Sequence, residues 1–85
     1  MAKLKVTRVD GTVNEYEITP VIEYAFENHA KMGFHKCIVE LQRQTDIYWI
    51  CWEAIRRSGE TVPVFGEKFI ETLASVDVMD STPLG

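Results

Sequence analysis

The chain predicts an α+β domain in which an N-terminal β-hairpin packs on a small, mainly three-helix bundle. Three observations carry that expectation: apolar and charged residues alternate on both sides of Val9-Asp10-Gly11, one amphipathic segment holds both tryptophans, and Phe65, Phe69, Leu73 and Val76 follow at helical spacing. Eighty-five residues make one domain, able to bury about 60–65% of its unfolded surface. It is expected over residues 1–78, with 79–85 a flexible acidic tail or linker that has nothing to pack.

The hairpin is expected over residues 3–18. A two-residue Asp-Gly loop would set Leu4 and Val6 opposite Glu17 and Glu15, mixing charge into the only apolar face. A three-residue loop with Gly11 left-handed instead sets Leu4 opposite Tyr16, and Lys3 and Lys5 opposite Glu17 and Glu15. That register leaves one clean face of Leu4, Val6, Tyr16 and Ile18 for the helices to cover.

A first helix is expected over about residues 20–32. Thr19 can cap its free amides, Pro20 suits the first position, Glu23 lies near the positive end and Gly33 is the expected stop. From Phe34 to Gln42 the pattern is mixed. A second helix follows over 44–58, with Arg56 and Arg57 near its negative end and Gly59 as terminator. At about 100° per residue from Ile47, its apolar residues run from Ile50 at about 300° through zero to Trp52 at about 140°. So wide an arc calls for cover on two sides. Trp49 falls outside it, at about 200° beside Glu53, Arg56 and Asp46, which marks it as a contact residue rather than a packing one. A third helix is expected over 63–76. The expected core joins Leu4, Val6, Tyr16, Ile18, Ile47, Cys51, Ile55, Phe65, Phe69 and Leu73.

Composition narrows the function. Nine Lys and Arg against thirteen Asp and Glu give a net charge of −4 with no basic stripe, which argues against nucleic acid as a partner. The apolar runs are too short for a membrane span, and Met1-Ala2-Lys3-Leu4-Lys5 leads into a charged strand rather than a signal-peptide apolar region, so a cytoplasmic location is expected. Cys37 and Cys51 form no CxxC pair and read as reduced thiols in or near the core. His29, His35, Cys37 and Glu40 are the only cluster with metal-binding chemistry, and their spacing matches no zinc pattern, so no metal or other cofactor is expected. No GxSxG, phosphate-binding glycine loop or His-Glu-x-x-His occurs, and an enzyme is not expected. A helix-turn-helix built from the last two helices is disfavoured by Pro63 in the turn and by the acidic final helix.

From the hairpin and the Thr19-Pro20 helix start, through Gly33-Phe34 and Tyr48-Trp49-Ile50-Cys51-Trp52-Glu53-Ala54, to Arg57-Ser58-Gly59, Val62-Pro63-Val64-Phe65 and Phe69 to Leu73, the chain resembles the tail assembly chaperones of long-tailed bacteriophages. It departs from them at Ile50 and Cys51, where leucine or alanine is common, and at Gly66, where an acidic residue is usual. The resemblance implies a protein that keeps the long tape measure protein soluble and helps recruit tail tube subunits around it. It also implies a site in the cytoplasm of the bacterial host, absence from the mature virion, and a longer frameshifted form of the same chain. Its partners would be the tape measure protein, the tail tube protein, that longer form and further copies of itself. A cover for an apolar helix needs aromatic area with a charged surround, and Trp49, Trp52, Tyr48, Phe65 and Phe69 with Arg56 are the residues expected to supply it. The alternative is a small structural or regulatory interaction protein, such as a permanent tail or neck component.

Overall fold

The computed structural model describes residues 2–80. Strands β1 (Ala2–Arg8) and β2 (Val13–Glu17) form the hairpin in the expected register, with Leu4 opposite Tyr16 and Lys5 opposite Glu15. Gly11 is left-handed at φ 93°, which a side chain would resist, and its N–H donates to the Arg8 carbonyl at 2.9 Å. The Asp10 carboxylate accepts the Thr12 N–H at 2.9 Å and ties the loop from within.

The C-terminal segment departs from expectation. Only one turn of the helix expected over 63–76 forms, α3 (Glu67–Ile70), and the chain then pairs as strand β3 (Leu73–Asp80) on the far side of β1. The sheet order is β2-β1-β3, antiparallel throughout, so β1 is the central strand. A β-bulge hid this strand from periodicity. Ser75 pairs with Thr7 while Leu73 pairs with Arg8, leaving Ala74 as the extra residue. The bulge puts Leu73 on the same face as Val76, three residues apart, a spacing that reads as helical in sequence. Residues 79 and 80 belong to β3, so the expected tail does not begin at 79; its remainder, 81–85, lies outside the described residues.

Helix α1 (Pro20–Ala30) starts as expected, with the Thr19 hydroxyl accepting the Ile22 N–H at 3.4 Å. It ends earlier than the expected Gly33 stop, because Lys31 takes the left-handed cap position (φ 60°) and donates to the Glu27 carbonyl at 2.9 Å. The Glu27 carboxylate also accepts the Phe34 N–H at 2.8 Å and holds the turn closed. A short π-helical turn, Lys36–Glu40, buries Cys37 and Ile38 before helix α2 (Gln44–Arg57) begins. Gly59 (φ 99°) terminates α2 as expected.

The architecture is therefore a three-stranded sheet covered on one face by two long helices, rather than a hairpin on a three-helix bundle. Leu4 and Val6 are fully buried between the sheet and Ile18, Ile22, Phe26, Ile50, Cys51 and Ile55. Of the expected core, Tyr16, Phe65 and Leu73 are only half-buried. Between Gly59 and α3 the chain forms no regular secondary structure and bends at Phe65 and Gly66, so the last two expected helices make no helix-turn-helix. Among the described residues, no helix is long and apolar enough to cross a membrane.

Candidate functional site

The buried arc of α2 has the expected width but a different phase. It runs from Glu53 at about 240° through zero to Ile55 at about 80°, a rotation of about 60° from the arc of apolar residues. The rotation buries Asp46 and Glu53 and lifts Tyr48, Trp52, Trp49 and Arg56 onto the half-open side. Two features make burying Glu53 tolerable. Arg56 grips its carboxylate through Nε at 3.2 Å and Nη2 at 2.8 and 3.0 Å, and Arg57 Nε adds a bond of 2.6 Å. Burial pushes the Glu53 pKa up, but these hydrogen bonds and the two positive charges outweigh it and hold the carboxyl below its ordinary value. Asp46 sits on the first turn of α2, at the positive helix end and 3.3 Å from Arg43 Nε. Indole rings, apolar with one polar N–H, settle at the wet boundary instead.

On that boundary the aromatic residues join into one row. Phe34, Phe26, Trp49, Trp52, Phe65 and Phe69 follow one another with ring centroids 5.9, 6.0, 6.0, 6.0 and 6.3 Å apart. The row is anchored in the core at Phe26, which is fully buried, and at Phe69, which is 2% exposed, while Phe34 at its other end is half-buried. The middle, Trp49, Trp52 and Phe65, is half-buried. Trp52 is fixed by its indole N–H, which donates to the Pro63 carbonyl at 2.8 Å, and this bond seats the connector carrying Phe65 beside it. The Arg56 guanidinium lies 5.3 Å above the Trp52 ring centroid, so the same cation serves Glu53 and the indole.

Trp49 is not the bare contact residue expected from its helical angle. His29 of α1 stacks on it at 4.4 Å and 9°, and Phe26 packs against it at 6.0 Å, so α1 supplies intramolecular cover. Of the other expected contact residues, Trp52, Phe65 and Arg56 come together with Trp49, whereas Tyr48 lies on the same helix face outside the row. Phe69 is buried and supports Phe65 from beneath, which removes it from any contact surface. Sequence reasoning missed His29, Phe26 and Phe34. The Glu53-x-x-Arg56-Arg57 spacing, with both arginines within one turn of a carboxylate, was the legible sign that Glu53 could be buried.

The thiols offer no reactive group. Cys51 is fully buried and its pKa is pushed up to about 12 by burial, and burial raises that of Cys37. His35 and Glu40 form an exposed pair at 3.6 Å, while His29 is committed to Trp49. Among the described residues, no group of His, Cys, Asp and Glu is placed to hold a metal ion. The row can bind by apolar contact, with a cation at its rim. No family model, curated protein or solved structure matches the chain.

Proposed function

We propose that this chain is a non-enzymatic tail assembly chaperone of a long-tailed bacteriophage. It binds the tape measure protein, keeps it soluble and helps recruit tail tube subunits, acting in the cytoplasm of the bacterial host and leaving before the virion is complete. The observation that supports this reading best is the half-open aromatic row of Trp49, Trp52 and Phe65 with Arg56 at its rim. A long helix with an apolar stripe needs a cover that is aromatic, rigid and edged with charge, and rings already packed against one another present such area at low entropic cost.

Co-expression with a tape measure fragment from the same genome tests the reading. The fragment should stay in the supernatant and co-purify with the chain. A fragment equally insoluble with and without it, and no co-purification, would transfer the case to a permanent tail or neck component, which purified virions would then contain.

A further inference from the structure

The hydrogen-bond register of the hairpin leaves one edge of the sheet open. Arg8 N–H donates to the Thr12 carbonyl at 2.8 Å, so Val6/Asn14 and Leu4/Tyr16 are also bonded pairs, and the backbone groups of Val13, Glu15 and Glu17 point away from β1. Among the described residues no strand pairs on that side. A cleft of 330 Å³ lies there, lined by Glu15, Tyr16 and Glu17 and walled opposite by Ile22, Ala54 and Arg57. Successive strand residues point to opposite faces, so a cleft that touches three in a row borders the strand's edge.

We propose that the free edge of β2 is a docking site for an extended segment of a partner protein that alternates lysine or arginine with apolar residues. Charge selects the occupant. Glu15 and Glu17 stand on the outer face of the sheet, and Asp77 of β3 shares that face across β1. A second copy docking through β2 or β3 would set carboxylates beside carboxylates, the device by which edge strands resist self-pairing. The central strand already displays the complementary pattern, with Lys3 and Lys5 over Glu17 and Glu15, and Leu4 and Val6 inward. An occupant repeating it would lay cations over the outer glutamates. Its apolar side chains would fall inward over Tyr16, Ile22, Ala54 and the Arg57 stem. The site is separate from the aromatic row and stands whether or not the chaperone reading holds.

The test is an NMR titration of the full chain with a capped Lys-Val-Lys-Val-Thr peptide and with a rearranged Lys-Lys-Val-Val-Thr peptide. The alternating peptide should slow amide exchange at Val13, Glu15 and Glu17 and bind about fivefold or more tightly than the rearranged one. Glu15→Gln with Glu17→Gln should weaken it by about fivefold. N-methylation of the peptide amides that face β2 should abolish binding, an arm that leaves the protein untouched. Equal binding of both peptides, no response at the three amides, a response at β3 instead, or protection of the same amides by self-association without peptide would each overturn the proposal.

Discussion

Glu53 and its two arginines make a sharp test of how α2 is seated. The Glu53 side chain is 3% exposed, whereas the Arg56 and Arg57 side chains are 49% and 40% exposed. The two ends of the clamp therefore behave differently when cut. Glu53→Met removes the buried charge and frees two arginines to turn into water, so its cost at pH 7 should stay within about 1 kcal/mol. Arg56→Ala with Arg57→Ala strands the carboxylate, a loss of about 3–5 kcal/mol. The stranded group can escape by taking a proton. At pH 7 that costs about 1.4 kcal/mol per pH unit above an ordinary glutamate pKa of about 4.3, a ceiling near 3.7 kcal/mol that holds the loss to the lower part of that range. Against a stability of about 4–13 kcal/mol for a chain of this length, the double variant should keep no more than about 9 kcal/mol, and at the lower bound it should lie near its unfolding midpoint. Urea denaturation followed by far-UV circular dichroism reads both. The pH dependence adds a sign. The Glu53 pKa is lowered in the fold, so its stabilisation is present above an unfolded value of about 4.3 and is lost as pH falls through the lower folded one. Wild type should thus lose more stability than Glu53→Met between about pH 5 and 3, while the arginine double variant, its carboxyl pKa now raised, should gain there. A Glu53→Met loss exceeding that of the arginine pair would show that the Glu53 charge is needed where it is buried and that α2 is not seated by the clamp.

Ile55 is fully buried, and Ile55→Ala should cost about 2–5 kcal/mol in urea, with a loss below about 0.5 kcal/mol showing α2 to be misphased. Trp49→Ala removes the ring on which His29 and Phe26 pack and should lower the melting temperature by several degrees, at about 1–3 kcal/mol; an unchanged melting curve would return Trp49 to the role of a bare contact residue. With Cys51 raised to about 12 and both thiols buried, a thiol reagent at pH 8 should label neither cysteine until the chain is unfolded, and rapid native labelling would contradict the packing.

The hairpin was legible down to its register because a two-residue loop would put Glu15 and Glu17 on the apolar face of Leu4 and Val6, and a three-residue loop keeps them off it. The start of α1 and the end of α2 were legible because Thr19-Pro20 and Gly59 act locally. Strand β3 was not. Its bulge at Ala74 set Leu73 and Val76 three residues apart on one face, and a strand so interrupted imitates a helix in sequence. The phase of α2 was not legible for an energetic reason: hydrophobicity ranks Trp52 above Glu53 as an inward residue, yet Arg56 and Arg57 make Glu53 cheap to bury, and the indole keeps a polar N–H to satisfy. For the candidate site the residue types were readable, but which rings touch depended on α1, whose Phe26 and His29 lie far from Trp49 in sequence.

The half-open aromatic row is proposed to be the surface that holds the tape measure protein. Its most direct test is the affinity of a purified tape measure fragment for wild type and for Trp52→Ala, each corrected for its folded fraction by circular dichroism. Trp52→Ala should stay folded and bind more than about fivefold more weakly, a loss above about 1 kcal/mol. Undiminished binding per folded molecule would contradict it.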